Sequence, residues 1–271
     1  VDKVLLMTIV LLVSFGILSV ANASVVQGES VFGDKWYFAK QQATWAVFGF
    51  AILLIFSQIK YTFWLKVSPY VYFLSLALIF IVLIPGVGVS ALGSRRWLSI
   101  SGFVFQPSEL GKLSTALILA FLGSKDKKIR YSLLALGLVA LLVVIEPDLG
   151  TSLVIVSKGL AILFSQGLSF VFFLPLLASS TILAVLSILI SPYRKDRFLS
   201  FVKAIEEPLS SSYHIRQTLF ALAGGGLFGV GLGQSRQKYL FLPEATNDSI
   251  FAIIAEEIGF VGAAVLVAIF L

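Results

Sequence analysis

The stretch YLFLPEATNDSIFAIIAEEI, residues 239–258, brings three carboxylates, Asp248, Glu256 and Glu257, to the start of an apolar run. A charged side chain at the centre of a bilayer costs about 2.5–3.5 kcal/mol even on insertion scales, so acids in a membrane span indicate function. Helical geometry places Asp248 at the mouth of the span and Glu256 on the same face, about 12 Å deeper. We therefore expect the rest of the chain to hold polar groups near Asp248.

A second interpretation of Asp248 is local. Thr, Asn and Asp are all common helix N-caps and acids favour the positive end of a helix, so Thr246, Asn247 or Asp248 could simply cap the helix that follows. Glu257 points away from the Asp248 face, and we expect it to pack against another helix.

The composition requires a membrane protein. The 271 residues are 58% hydrophobic and 13% charged, with a mean hydropathy of +1.00, which excludes an ordinary soluble domain. The chain has no cysteine and a single histidine, His214, which excludes disulfides and metal sites rich in Cys or His. A net charge of +6 is typical of cationic loops beside anionic lipid. We expect no nucleic-acid partner, because the basic residues do not interleave with exposed aromatic residues.

Eight apolar runs predict an all-α, polytopic integral membrane protein. Each reaches or nearly reaches the roughly 20 residues that cross a bilayer. The runs cover residues 4–20, 41–58, 67–84, 108–123, 131–145, 151–166, 170–190 and 248–271. The first run precedes Ala21-Asn22-Ala23 like a signal peptide, but it is too long for one, so we interpret it as an uncleaved helix. The chain begins without Met and stops inside an apolar run, so we expect a fragment of a longer protein.

Polar segments separate these runs. Residues 93–107 form an irregular amphipathic segment whose aromatic residues and arginines suit the headgroup zone. Residues 193–247 form one long polar segment, which we predict to be an extracytoplasmic loop that is functional or has short helices of its own. The compact basic turn at 125–130 is placed in the cytoplasm by the positive-inside rule. The basic character of the long loop on the opposite side then suggests an anionic ligand.

Three further groups of polar residues could carry chemistry. Glu109 and Lys112 open the fourth run at i, i+3 spacing, which suits either a capped helix with a snorkelling lysine or a phosphate site. The turn at 146–148, Glu-Pro-Asp, adds two carboxylates at the same expected face, although turns also recruit Asp and Pro for local reasons. Arg194 and Arg197 begin the long loop and could anchor it at the interface or bind pyrophosphate.

Two other features need an explanation. Lys158 lies about halfway through the sixth run and needs an acidic partner, which the sequence does not identify. The glycines between residues 224 and 233 contain a partial Gly-x-Gly pattern. No strand precedes them, so we expect flexible or closely approaching backbone rather than a dinucleotide fold.

Five blocks of sequence follow one another over nearly the whole chain. They are Arg96-Trp97, QPSELxK at 106–112, EPDLGT at 146–151, Tyr193-Arg194 with Arg197, and LPEAxxDxIFA at 242–252 followed by EExG at 256–259. In this combination the chain resembles the SEDS family of bacterial cell-wall polymerases. The segment SRQKY at 235–239 looks more like the cell-division (FtsW-like) branch than the elongation (RodA-like) or sporulation branches.

The resemblance implies a ten-helix fold, of which about two carboxy-terminal helices would be absent here. It implies a peptidoglycan glycosyltransferase of the bacterial inner membrane that joins the disaccharide units of lipid II on the extracytoplasmic face. A class B penicillin-binding transpeptidase and other divisome or elongasome membrane proteins would be its partners. The family's catalytic acid maps onto Asp248. The family commonly has His-Thr before that Asp and Phe after it, whereas Thr246, Asn247 and Ser249 stand here. The carboxylate is kept, and we expect any difference to lie in the contacts of this loop.

The implied reaction needs a base and cations. Asp248 would deprotonate the acceptor sugar hydroxyl as a general base, while cations would stabilise the departing pyrophosphate. The expected pyrophosphate contacts are Arg194, Arg197, Lys112 and Arg95 or Arg96. The residues expected to position sugar or cations are Glu109, Asp148 and Glu244, with Glu256 as a deeper supporting acid. A divalent cation, Mg²⁺ or Mn²⁺, held by carboxylates could share the leaving-group role.

A transporter is the alternative class. A lipid II flippase would also need intramembrane acids, a helix broken at residues 146–148 and a cationic cavity. Transporters often show internal repeats with paired broken helices. We find no convincing repeat, which favours the enzyme. A third interpretation, a scaffold for division or elongation proteins, would need neither Asp248 nor the cations of the loop.

Overall fold

The computed structural model describes residues 2–91, 94–100, 103–125, 129–206, 213–239, 241–242 and 246–270. Within these ranges it contains ten α-helices and three short strands. The helices are α1 (Lys3–Phe32), α2 (Tyr37–Gln58), α3 (Tyr61–Leu83), α4 (Pro107–Ser124), α5 (Ile129–Ile145), α6 (Leu149–Ser165), α7 (Phe170–Ile190), α8 (Pro192–Glu206), α9 (Tyr213–Gly225) and α10 (Ile250–Phe270). The strands are β1 (Val89–Ala91), β2 (Ser94–Ile100) and β3 (Phe103–Phe105).

The predicted all-α membrane architecture is confirmed. Each of the eight apolar runs corresponds to a helix, namely α1 to α7 and α10. Within the described part of the chain, five helices are long and apolar enough to cross a bilayer, α1, α2, α3, α7 and α10, while α5 and α6 are shorter apolar helices. Helix α1 continues to Phe32, twelve residues beyond the predicted apolar run at 4–20. The helix stops at Gly33, whose left-handed conformation forms its C-cap.

The amphipathic segment after α3 forms a small antiparallel sheet in the order β1-β2-β3, which the sequence did not predict. Val89 pairs with Trp97, and Leu98 pairs with Phe105. Strand β2 packs against α3 and α4 and buries Leu98. The sheet therefore holds the backbone of Arg96, in β2, close to α3 and α4.

The chain divides into two compact units. The first contains Val1–Gln58 and Tyr193–Leu271, and the second contains Ile59–Pro192. In the second unit, α3 to α7 pack around buried side chains that include Ile79, Leu119 and Val139. Polar bonds also join these helices, because the Tyr72 hydroxyl donates to the Ala135 carbonyl at 2.8 Å. Such interhelical bonds are favoured where no water is available.

In the first unit, α9 and α1 pack against α10, and α2 packs against α1. Helix α9, and all of helix α8 except its first residue, Pro192, lie inside the long polar segment at 193–247. The prediction that this segment has short helices of its own is therefore confirmed.

Helix α10 is broken at Gly259, which has φ 72° and ψ −178°. In a regular helix the amides of residues 260 and 261 would donate to the carbonyls of residues 256 and 257. Here Phe260 N donates to Gly226 O at 2.9 Å and Val261 N donates to Leu227 O at 3.1 Å. The two freed carbonyls, of Glu256 and Glu257, accept instead from the amides of residues 230 and 231, at 3.0 and 3.1 Å. The loop after α9 thus replaces two helical hydrogen bonds with four bonds between segments.

These hydrogen bonds between α10 and the loop after α9 require a glycine in each of the two segments. A Cβ at Gly229 would lie 2.1 Å from the Glu257 carbonyl oxygen, and a Cβ at Gly259 would lie 2.3 Å from Gly229 N. Both glycines also have positive φ, where other residues are strained. The expectation of closely approaching backbone in this glycine-rich segment is confirmed.

We predict that Gly229→Ala and Gly259→Ala each lower the Tm of the detergent-solubilised protein by at least about 5 °C, because strain of about 1–3 kcal/mol adds to a backbone clash. Thermal unfolding followed by circular dichroism measures the effect. The matched control is Gly16→Ala in α1, where a Cβ meets nothing within 4 Å. An unchanged Tm in both glycine variants would contradict the proposed need for close backbone approach.

Candidate functional site

Asp248 lies in the turn that precedes α10, with its side chain exposed. The first turn of the helix is closed by backbone groups, because Ile250 N donates to Asn247 O and Ala252 N donates to Ser249 O. In the part of the chain that the structure describes, no hydrogen bond or ion pair engages the Asp248 carboxylate. The geometry therefore leaves this carboxylate available, rather than using it as a cap.

The residue after Asp248 is held by a side chain from another helix. Ser249 is buried, and its hydroxyl is 2.7 Å from Nε2 of His214 in α9. The Thr246 hydroxyl lies 3.4 Å from the side-chain oxygen of Gln27 in α1. His214 is 35 residues from Ser249 in the sequence, and no local pattern connects it with this loop. The bond fixes the start of α10 to α9 and so restricts where Asp248 can lie.

Glu256 is buried, and its side chain binds residues 235–237. Its carboxylate accepts from the Ser235 hydroxyl, from Arg236 N at 3.2 Å and from Gln237 N at 3.5 Å. The side chain predicted to be a deeper supporting acid thus binds backbone and hydroxyl groups of residues 235–237.

Glu257 connects three segments. It accepts from the Asn22 side chain of α1 at 2.5 Å and from Ser235 N at 3.3 Å, and Lys238 Nζ lies 3.8 Å away. The expectation that Glu257 packs against another helix is confirmed. Lys238, which sequence reasoning did not single out, is 8% exposed and also donates to Asn22 Oδ1 at 2.9 Å and to the Gly233 carbonyl. We call Asn22, Ser235, Lys238, Glu256 and Glu257 the buried network.

A cavity of about 390 Å³ borders the buried network between α1 and α10. Its walls are mostly apolar and include Phe15, Leu18 and Ile253, with Asn22 and Glu257 among the polar lining. An unpaired charge beside such a surface is expensive, since desolvation removes its hydration. The positive charge of Lys238, 3.8 Å away, therefore offsets part of the cost of burying the Glu257 carboxylate beside this cavity.

In the second unit, Asp148 is the N-cap of α6 and is 7% exposed. It accepts from Thr151 N at 3.1 Å, from the Thr151 hydroxyl at 2.8 Å and from the Gln106 side chain at 2.9 Å. Arg96 Nη1 lies 3.9 Å away, and Arg96 Nη2 donates to the Pro147 carbonyl at 3.0 Å. Asp148 therefore joins strand β2, the start of α4 and the start of α6.

Glu109 and Lys112 pair at the start of α4, as the spacing predicted, with 2.8 Å between Oε1 and Nζ. Both side chains remain accessible, at 59% and 27% exposure. Arg194 lies on α8 and is half-buried. Glu244 and the side chains of Arg95 and Arg197 lie outside the described residues.

Glu146, in the turn between α5 and α6, is fully buried, and neither of its carboxyl oxygens has a hydrogen-bond partner in the part of the molecule that is described. Burial first, and then the nearby Asp148, raise the pKa of Glu146, while Arg96 lowers it, and the net result is a pKa of about 8. This carboxyl is therefore mostly protonated at neutral pH.

Comparison with known proteins places these residues in context. Residues 2–271 match the FtsW/RodA/SpoVE family model, described as "Cell cycle protein". The chain is 38% identical to stage V sporulation protein E of Bacillus subtilis, over 99% of this chain and 76% of that protein. It is 36% identical to a probable peptidoglycan glycosyltransferase FtsW of Thioalkalivibrio sulfidiphilus, over 99% of this chain and 69% of that protein.

Two solved structures show the same fold. A chain from a peptidoglycan synthase complex, described for its structural coordination of polymerization and crosslinking, has a TM-score of 0.74 at 22% identity, over 99% of this chain and 74% of that chain. RodA of Thermus thermophilus has a TM-score of 0.66 at 23% identity, over 99% of this chain and 71% of that chain. The relatives carry sporulation and division names alike, so the division branch stays a prediction.

We predict that Glu146→Gln makes the Tm less dependent on pH. The pKa of Glu146 is raised in the folded state from about 4.5 to about 8, so the folded protein keeps a proton that the unfolded chain loses. Stability of the wild type therefore falls, relative to the variant, as the pH rises from 4.5 to 8, and the difference is constant above pH 8. Thermal unfolding at pH 5, 6.5, 8 and 9 measures it, and a difference that does not change over this series would contradict the assignment.

We also predict that Lys238→Met lowers the Tm strongly, because removing one member of a buried ion pair costs about 3–5 kcal/mol. The double variant Lys238→Met/Glu257→Gln should be more stable than Lys238→Met alone, since it no longer leaves a carboxylate unpaired. The control is Lys40→Met, whose partner Asp34 is on the surface, where such pairs contribute about 0–1 kcal/mol. Additive effects in the double variant would show that Lys238 and Glu257 are not coupled.

Proposed function

Because the chain belongs to the FtsW/RodA/SpoVE family, we propose that it is a peptidoglycan glycosyltransferase that polymerises lipid II into glycan strands. Relatives that match 99% of this chain are named as probable peptidoglycan glycosyltransferases. One observation carries the assignment of the base. Asp248 is exposed and has no partner among the described residues, whereas the two acids deeper in the same helix already accept hydrogen bonds.

Asp248 acts as the general base. It takes the proton of the acceptor sugar hydroxyl while the hydroxyl oxygen bonds to the anomeric carbon and the bond from that carbon to the lipid pyrophosphate breaks. A carboxylate can do this only if its oxygens are accessible to the hydroxyl. Glu256 cannot easily take this role, since its oxygens are occupied by residues 235–237 and its side chain is 4% exposed.

The departing pyrophosphate needs positive charge, and Arg194, Arg197, Lys112 and Arg96 are the proposed sources. Lys112 has three donors, and Glu109 uses one of them, so the remaining two can bind phosphate oxygens. Arg96 is already engaged by Pro147 and Asp148. The four other acids have two proposed roles. Glu109 and Glu244 would contact the sugar directly. Asp148 and Glu256 would position the segments that they bind.

A divalent cation would depend on the substrate for some of its ligands. The described residues include no group of three or more His, Asp or Glu side chains arranged to hold a metal ion. Mg²⁺ is commonly held by one or two carboxylates together with substrate phosphates. One carboxylate together with the lipid pyrophosphate would meet that requirement, and Mg²⁺ or Mn²⁺ bound there would supply positive charge to the leaving group.

A lipid II flippase is the second candidate function, because α10 is a broken helix. In transporters such breaks expose helix ends that bind substrate or ions. Here the groups freed at the break are bonded to the loop after α9, at 2.9–3.1 Å. The break is therefore used for packing, and the enzyme remains the better-supported function.

The helices make the chain a multi-pass membrane protein. We place it in the bacterial inner membrane, with Asp248 on the extracytoplasmic face. The likeness to a chain from a peptidoglycan synthase complex supports a class B penicillin-binding transpeptidase as partner. Other divisome or elongasome membrane proteins are further proposed partners.

We predict that Asp248→Asn lowers glycan polymerisation by at least about 100-fold, since a general base contributes typically 10²–10⁴-fold. The assay uses purified protein, its transpeptidase partner and labelled lipid II, with glycan strands resolved by electrophoresis. Glu29→Gln, which changes another exposed acid of the same unit, is the control and should retain activity. Thermal unfolding verifies that both variants are folded.

The outcomes separate the candidates. Persistent strands with folded Asp248→Asn would show that another group is the base. If wild-type protein makes no strands but moves lipid II across liposome membranes, the flippase is correct. Arg194→Ala should raise the KM for lipid II, and unchanged kinetics would remove Arg194 from the pyrophosphate site.

A further inference from the structure

Lys158 is a charged residue on the outer face of a membrane helix. It is the tenth of the 17 residues of α6, and the other residues of that helix are uncharged. Its side chain is exposed. Across the described parts of the chain, no ion pair or hydrogen bond engages Lys158. An unpaired lysine at this depth is expensive.

The packing of α6 keeps Lys158 outside. Ile155, Gly159 and Leu163 form the buried stripe of the helix. A Cβ at Gly159 would lie 2.4 Å from a methyl group of Leu136 in α5, so the two helices are in close contact there. Helix α6 therefore cannot rotate to bring Lys158 inward without losing this contact.

Snorkelling does not remove the cost completely. At 1.5 Å per residue, Lys158 lies about 13 Å from Leu149 and about 10 Å from Ser165, the two ends of α6. Helical side chains lean toward the N-terminus, which here is the more distant end. A lysine side chain extends about 6 Å, so its ammonium group stays several Å inside the helix ends.

The same face is lined by small residues. Ser157, Ala161 and Ser165 follow one another at intervals of four and are all exposed. In membranes, small residues at this spacing let two helix backbones approach closely. We call Ser157, Lys158, Ala161 and Ser165 the α6 outer face.

We propose that the α6 outer face docks a transmembrane helix of another protein, one that carries a single acidic side chain at the depth of Lys158. Charge complementarity selects the acid, and the small residues select a close helix contact. A second copy of this chain fits poorly, because a symmetric contact would bring two lysines together. The membrane acids that the structure describes in α10, Glu256 and Glu257, are buried in the network and are not offered to a partner.

Crosslinking tests the proposal with a defined probe. The chain has no cysteine, so Ala161→Cys introduces a single one on the α6 outer face. Full-length protein is reconstituted in phosphatidylcholine liposomes with a Leu/Ala transmembrane peptide that carries a cysteine and, one turn away, a central Glu. The matched peptide carries Gln in place of Glu. We expect about three- to tenfold more disulfide crosslink with the Glu peptide.

Lys158→Met in the Ala161→Cys protein should remove the difference between the two peptides. Leu183→Cys, at an exposed position of α7, is the position control and should not distinguish them. Equal crosslinking of the Glu and Gln peptides, a preference that survives Lys158→Met, or disulfides mainly between two copies of the chain would overturn the proposal. The measurement needs no enzymatic activity, so its result is independent of the proposed function.

Discussion

Backbone hydrogen bonding at the break in α10 is the constraint on which the first unit depends. A polar backbone group inside a bilayer finds no water, so each amide and carbonyl released by Gly259 must be bonded by protein. The loop after α9 supplies those bonds through residues 226, 227, 230 and 231. It can do so only where glycine removes the Cβ that would collide. The glycine-rich segment and the break are therefore one structural device, although more than 25 residues separate them in sequence.

The break in α10 also determines where the charged side chains of Glu256 and Glu257 lie. The carbonyls that the loop binds belong to Glu256 and Glu257, so the residues at the break are those whose side chains hold Ser235 and Lys238. The backbone of α10 bonds to residues 226–231, and its side chains bind residues 235–238. The segment 226–238 is therefore attached to α10 in two ways. Two carboxylates remain buried because donors surround them, and the Lys238 ammonium remains buried because it donates to Asn22 and Gly233, which is how buried charges are tolerated. Asp248, two residues before the start of α10, stays outside this arrangement, and its availability for chemistry follows from that separation.

Much of the architecture could be predicted from the sequence, because length and hydropathy determine where a chain crosses a membrane. The eight runs and the Glu109–Lys112 pair follow from local rules of this kind. The sheet at β1 to β3 could not be predicted, since its strands are short and lack clear alternation. Lys238 and His214 were missed for another reason. Their roles come from contacts with Glu257 and Ser249, at sequence separations of 19 and 35, and no local pattern reports such contacts.

The turn at 146–148 shows how two acids two residues apart acquire different properties. Asp148 accepts hydrogen bonds from Thr151 and Gln106 and has Arg96 beside it, so donors stabilise its negative charge. Glu146 is more deeply buried and lacks a described partner, so a second negative charge there would face both desolvation and repulsion from Asp148. Glu146 is therefore mostly a neutral carboxylic acid at neutral pH. Among the described residues, only Asp148 of the two accepts hydrogen bonds, and its contacts join β2, α4 and α6.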